Sequence, residues 1–355
     1  MTEFRNIAVI RASALGDFIF ALPALTALRE MFPEAKVSYL GKQWHKDLLG
    51  ERESLIDQVI VVPPVAGVGE KETFPNDHLV LKKFFRRMQK EKFDVAIQLH
   101  GGGRYSNPFV RNLGANYTIG TKTPDAQALD KTIPYDYYQS EYIRWLEVVS
   151  LIGAKTTQIM PRIDPTSQDI EEAYQALQDN IKNIIVLHPG ATDKRRRWRP
   201  ERFAEVADYF AQKGFRIVVT GTNDEKSVVE NVIGRMRGTA ENFYNKLSLK
   251  GLTGLLSLAD LVISNDTGPL HLADALGCKT VGIYWCGNMI NGAPPYRKKS
   301  RCLASWMTIC PLCHKDCASF YPFDRSENDC QHETSFVDGV GVKEVITSAE
   351  ELLHM

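Results

Sequence analysis

The chain has 355 residues, 44% of them hydrophobic and 24% charged, which is long enough for two cores and too apolar for a disordered chain. Lys plus Arg and Asp plus Glu balance at 43 each, which excludes the global positive field of a protein that coats nucleic acid or binds bare anionic membrane. No apolar stretch reaches the roughly 18 residues of a membrane span, and Met1 to Ile10 lacks the apolar core of a secretory leader, so a cytoplasmic protein is expected.

In chain order, Ile7 to Ile10 reads as a strand, Arg11 to Asp17 as a turn, Phe18 to Met31 as an amphipathic helix and Val37 to Leu40 as a second strand. This βαβ unit implies a parallel sheet. Apolar runs at Gln58 to Val62 and Asp94 to Leu99 end in loops containing Gly, Pro or Ser. A Pro-containing connector, Met160-Pro161-Arg162-Ile163-Asp164-Pro165, with a polar helix behind it, marks a domain boundary. A second alternating series follows, with strands at Ile184 to Leu187, Phe215 to Thr220, Leu261 to Ser264 and Thr280 to Tyr284. Its helices fall at Pro200 to Gln212, Glu225 to Arg237, Leu252 to Leu258 and Pro269 to Leu276. The expectation is an α/β chain of two doubly wound, Rossmann-like domains facing a central cleft, residues 1–165 and 183–340, with ligands at the carboxyl ends of the strands. Val342 to Leu353 has helical apolar spacing, so residues 341–355 are a candidate helix folding back on the first domain.

The loops after these strands hold the residues that carry chemistry. Ser264-Asn265-Asp266-Thr267-Gly268-Pro269-Leu270-His271 joins a strand to a helix. The first amides of a helix lack internal partners and carry the positive dipole end, so a phosphate is bound there without any cation. Gly268 permits close approach, Pro269 suits the first turn, and His271 points back toward the same mouth. The same octapeptide also reads as a well-capped turn with no ligand. Asp17 stands either as the cap of the first helix or as a base that takes the proton of a hydroxyl nucleophile. His188-Pro189-Gly190-Ala191-Thr192 leads into Lys194-Arg195-Arg196-Arg197-Trp198-Arg199, five cations in six residues, suited to a departing diphosphate. Trp198 offers a base-stacking surface, yet the balanced charge gives nucleic acid no wider basic track.

Glu225, or Asp224 beside it, is placed to accept from ribose hydroxyls or to cap the next helix. His100, Arg104 and Asn107, in a Gly-rich loop after Leu99, are candidate acceptor contacts, and three glycines without a following Lys make no P-loop. Leu79 to Met88 alternates bulky and basic residues at helical spacing, the mark of an ordinary two-faced helix or of one lying on an anionic membrane near a lipid-linked acceptor. All seven cysteines lie between Cys278 and Cys330. Cys310, Cys313, Cys317 and Cys330, with His332 beyond, have a spacing that permits a structural zinc or iron site.

Taken together, Val9 to Asp17 with Leu22-Pro23-Ala24-Leu25, the His188-Pro189-Gly190-Ala191 strand end with Arg196 to Phe203, and Ser264 to His271 resemble glycosyltransferase family 9, the heptosyltransferase-like enzymes of bacterial lipopolysaccharide assembly. The resemblance implies a GT-B fold and an inverting transfer from a nucleotide sugar, usually ADP-heptose, to a glycan or lipid-linked acceptor, with no metal or other cofactor in catalysis. It implies Asp17 as base, Asp266, Thr267 and Gly268 as the donor pyrophosphate loop with His271 beside them, and Glu225 as the acid that holds the nucleotide. The family's usual loop Lys corresponds to Arg196, with Lys194 as the other candidate.

Overall fold

The computed structural model describes residues 4–50, 52, 55–178, 181–318 and 330–354, so the first residues read above for a leader lie outside the described residues. The chain forms two compact units, Met1–Pro161 and Arg162–Met355.

The first unit begins with β1 (Asn6–Ile10), α1 (Leu15–Met31), β2 (Lys36–Gly41), α2 (Gln43–Leu49) and β3 (Gln58–Val61). A two-stranded ladder, β4 (Val65–Ala66) and β5 (Gly69–Glu70), precedes α3 (His78–Glu91) and β6 (Val95–Gln98). The unit closes with α4 (Ser106–Asn112), β7 (Tyr117–Lys122), β8 (Lys131–Pro134) and α5 (Glu141–Ser150). Its main sheet has the order β3-β2-β1-β6-β7-β8, and every pairing is parallel. Ile7 of β1 sits between Val37 and Val95. Strands buried on both faces must be apolar throughout, which is why Ile7 to Ile10 and Val95 to Ile97 read as unbroken runs. The helix α1 departs from the amphipathic expectation. Residues Phe18 to Leu25 are all buried, because the helix also packs on α5.

The second unit comprises α6 (Ser167–Leu177), β9 (Ile184–His188), α7 (Pro200–Gln212), β10 (Arg216–Gly221), α8 (Lys226–Ile233), β11 (Glu241–Tyr244) and α9 (Leu249–Leu258). It continues with β12 (Leu261–Asn265), α10 (Gly268–Ala275), β13 (Thr280–Trp285), α11 (Cys286–Gly292), β14 (Ser300–Ser305) and α12 (Val342–Leu353). The sheet order is β11-β10-β9-β12-β13-β14, again with parallel pairing throughout. In both sheets the order reverses beside the first strand, between β1 and β6 and between β9 and β12. Such switch points leave a crevice at the strand carboxyl ends, where open α/β sheets bind ligands.

Two helices outside the expected domain bounds have their contacts in the second unit. The connector helix α6 packs on α9 and belongs to the second unit. The terminal helix α12, expected to return to the first domain, spends its apolar face of Val345, Ala349 and Leu352 within the second unit, against α7, β12, β13 and β14.

Candidate functional site

In the first unit the loops after β1 and β6 converge. The Asp17 Oδ2 accepts from the Ala14 amide at 3.1 Å and its Oδ1 from Arg11 Nη2 at 3.0 Å, with the side chain 38% exposed. It therefore caps α1 while keeping a face open to solvent, so the two readings of this residue are compatible. Arg11 is buried and binds Glu141 Oε2 at 3.0 Å, and its guanidinium lies 4.4 Å above the Trp145 ring. It also donates to the carbonyl of Leu99, which ties the β1 loop to the β6 loop. Arg144, fully buried, pairs with Glu141 and stacks 4.2 Å over Tyr135. Two cations and two carboxylates thus form a compensated network in which Glu141 is the shared partner, so that removing it deprives both buried arginines of their carboxylate at this point. Glu141, Arg144 and Trp145 escaped the sequence reading, although acid and base three apart at a helix start were a usable signal.

His100 Nδ1 lies 2.9 Å from Ser13 Oγ, which puts it beside the same loop. Burial, and then the charge of Arg11, push the His100 pKa down to about 4, so the ring is neutral at physiological pH. Arg104 is exposed and pairs with Asp125 at 3.6 Å. Asn107 is fully buried and donates to the carbonyls of Thr121 and Gln127. Both amide protons are committed to holding the loop, while the buried Oδ1 accepts no hydrogen bond from the described residues.

In the second unit the β12 motif opens α10. Thr267 is the N-cap in extended conformation, and Pro269 occupies the first turn. Thr267 and Gly268 are half-buried and accessible. Asp266, by contrast, is buried, with Oδ1 2.9 Å from His271 Nε2 and Oδ2 3.1 Å from Arg196 Nη1. Burial alone would raise the Asp266 carboxyl, but the hydrogen bonds and charges of His271 and Arg196 outweigh it and hold the group below the usual carboxylate range. The acid aims the cation.

The rest of the basic cluster has other partners. Lys194 pairs with Glu333 at 2.7 Å, Arg195 with Asp193 at 2.8 Å and Arg199 with Asp338 at 2.6 Å. Arg197 Nε donates to the Ala191 carbonyl at 2.8 Å. Trp198 is fully buried, its indole donating to the Val340 carbonyl at 3.0 Å, so it offers no surface for a base to stack on. Glu225 accepts from the amide and hydroxyl of Thr222 at 2.8 and 2.9 Å. His188 Nε2 lies 3.8 Å from Glu225 Oε2, and burial lowers the His188 pKa against the opposing pull of the Glu225 charge. Glu225 stands over Gly190 so closely that a Cβ there would lie 2.0 Å from Oε1, which explains the glycine after His188-Pro189.

The cysteine cluster is real, but its membership differs from expectation. The groups brought together are Cys310, Cys313, Cys330 and His332, with His332 in the place expected of Cys317. The Cys317 amide instead donates to the Thr308 carbonyl at 2.7 Å, closing the turn from its far side.

Residues 81–320 match the family model of glycosyltransferase family 9 (heptosyltransferase). The chain is 23% identical over 299 residues to the lipopolysaccharide core heptosyltransferase OpsX of Haemophilus influenzae, covering 82% of each chain. Among solved structures, it is similar to a family 9 glycosyltransferase of Veillonella parvula, with TM-score 0.78, 23% identity and 99% of both chains covered. It is also similar to the ADP-heptose lps heptosyltransferase II of Escherichia coli, with TM-score 0.73, 16% identity, and 99% of this chain and 98% of that one covered. The shared architecture is the GT-B fold with two Rossmann-like domains. By the span of the family match, the protein is a glycosyltransferase and belongs to glycosyltransferase family 9, the heptosyltransferases.

Proposed function

We propose that the protein transfers a heptose from an ADP carrier to a lipopolysaccharide-core acceptor, with inversion at the anomeric carbon and without a catalytic metal. The names of its relatives support the substrate class. The observation that supports the chemistry best is the set of Arg196, Asp266 and His271 at the opening of α10. In this reading residues 1–165 take the acceptor and residues 183–340 the donor.

The acceptor oxygen forms a bond to the anomeric carbon as the bond from that carbon to the β-phosphate oxygen breaks. The acceptor proton goes to Asp17, and the diphosphate leaves with the bonding electrons. Its charge is met by the first-turn amides of α10 at Thr267 and Gly268 and by Arg196, groups already oriented before reaction. Asp266 and His271 position that cation, Lys194 adds longer-range positive charge, and Glu225 accepts from the ribose hydroxyls. Neutral His100 and exposed Arg104 hydrogen-bond the acceptor sugar. On α3 the exposed Leu79 and Val80 adjoin exposed Lys82, Lys83, Arg86 and Arg87, which suits peripheral contact with an anionic cytoplasmic membrane carrying a lipid-linked acceptor. Among the described residues, no helix is long and apolar enough to cross a membrane.

The test offers ADP-, UDP- and GDP-sugars with the acceptor glycan, free or in anionic vesicles. Acceptor-dependent release of ADP from ADP-heptose, faster on vesicles, is expected. Isomerisation of the sugar without transfer, or binding without turnover, would overturn the reading.

A further inference from the structure

The Sγ atoms of Cys310, Cys313 and Cys330 and a ring nitrogen of His332 all lie within 4.8 Å of one another. Cys313 Sγ is 3.6 Å from Cys330 Sγ, and His332 Nδ1 is 3.7 Å from Cys310 Sγ and 3.5 Å from Cys330 Sγ. A tetrahedral zinc with Zn–S near 2.3 Å and Zn–N near 2.05 Å requires S···S of about 3.8 Å and S···N of about 3.6 Å. The observed separations therefore match the edges of such a tetrahedron, and among the described residues no cysteine is held in a disulfide. Local backbone supports the arrangement. His314 takes a left-handed conformation with φ of 58°, its amide donates to the Cys310 carbonyl at 2.9 Å, and the Cys310 amide donates to Lys315. That turn aims Cys310 and Cys313 at one point.

What the cluster holds in place gives it a purpose. Beyond Cys330 and His332 the chain runs as a strap without regular secondary structure to α12, and the strap is bonded to the basic loop after β9. Arg195 Nη1 donates to the Cys330 carbonyl at 3.3 Å, the Phe336 amide donates to the Arg195 carbonyl at 2.7 Å, and Ser335 Oγ donates to the Arg197 carbonyl at 2.8 Å. Arg196, whose neighbours on both sides are fixed by these bonds, is the residue that reaches Asp266.

We propose that Cys310, Cys313, Cys330 and His332 bind one zinc ion, and that this ion is a structural anchor that fixes the strap and, through it, the loop presenting Arg196 to the donor diphosphate. The anchoring role rests on the donor site proposed above; the zinc site stands without it. Binding displaces the thiol protons to solvent, leaving thiolates and a neutral imidazole on a closed four-coordinate centre. Because the ion and the diphosphate favour the same loop arrangement, each tightens binding of the other.

Metal analysis of the full-length protein should find one zinc per chain. Cys313→Ser and His332→Ala should lose it, Cys317→Ser should keep it, and His332→Cys, which supplies a fourth thiolate, should regain it. Stripping the zinc with a chelator should weaken ADP binding in calorimetry about tenfold, restored by added zinc, with circular dichroism unchanged. A protein that takes up no zinc, that needs Cys317 instead of His332, or that purifies with iron in this site overturns the assignment. Zinc occupancy with equal ADP affinity in both states overturns the anchor. If the zinc-loaded protein binds no ADP at all, the donor reading and the anchor fall together while the metal site stands.

Discussion

Replacing Asp17 with Asn separates a structural duty from a chemical one. The Asp17 carboxylate accepts two hydrogen bonds, from the Ala14 amide at 3.1 Å and from Arg11 at 3.0 Å. Asn keeps one acceptor oxygen and must turn an NH2 group toward the other donor, so it retains one of the two bonds. The loss costs about 1 kcal/mol of folding stability, and Arg11 keeps Glu141 as a partner. The amide cannot take a proton from the acceptor hydroxyl. Removing a positioned base costs roughly 100- to 10,000-fold in turnover, or about 3 to 5 kcal/mol of barrier. The catalytic effect should thus exceed the structural one several-fold. The assay is acceptor-dependent release of nucleoside diphosphate with donor and acceptor saturating, run beside ADP calorimetry and a thermal melt. We expect turnover to collapse, ADP affinity to hold within about twofold and the melting temperature to fall by a few degrees. Turnover within about tenfold of the parent enzyme would refute Asp17 as the base.

Two further outcomes follow from packing and burial. Gly190→Ala would set a Cβ 2.0 Å from Glu225 Oε1, so the carboxylate must leave its capping position, at roughly 1 to 3 kcal/mol of strain; ADP should bind more weakly while inorganic pyrophosphate binds as before, and equal weakening of both would refute ribose recognition by Glu225. Burial pushes His45 down to about 3, so in acid the unfolded chain binds a proton that the folded one refuses. Stability is then full above the unfolded value near 6.5 and falls as pH drops toward 3. Urea unfolding of the first unit should lose about 2 kcal/mol from this residue between pH 7 and 5. His100, held at about 4, acts in the same direction. A His45→Asn variant should flatten the dependence, and an unchanged slope would contradict it.

The second domain was largely legible because its central strands are buried on both faces. Ile184–His188 and Leu261–Asn265 carry no exposed residue, so sequence shows them as apolar runs stopped by turn residues. Less of the first domain could be read. The edge strand β8, Lys131–Pro134, is polar and partly exposed, and β7 before it mixes Thr, Gly and Lys with a single buried Ile. Period alone cannot separate such strands from loops. The expected helix from Glu225 to Arg237 begins instead as a tight turn over Asn223–Glu225 and ends at Ile233. Glu225 closes a capping box there, so the acid that looked like the first helical residue is the one that starts the helix.

The site itself divides between groups that a motif displays and partners that only folding supplies. Arg11 meets Glu141 across 130 positions, and Arg196 meets Asp266 across 70. No local pattern encodes such pairs, yet they decide what each motif residue does. An anionic carboxylate aimed at a diphosphate would repel it, so Asp266 at the head of the proposed phosphate-binding motif is an electrostatic contradiction when read in sequence alone. Folding removes the contradiction by burying the acid between Arg196 and His271, where its charge holds a cation in place. Arg11 plays the reciprocal part in the first unit, a buried cation that orients Asp17 and is steadied by Glu141 and Trp145. In each domain a charge at the candidate site is set by an opposite charge behind it, and truncating that hidden partner should damage function through geometry rather than through lost contact.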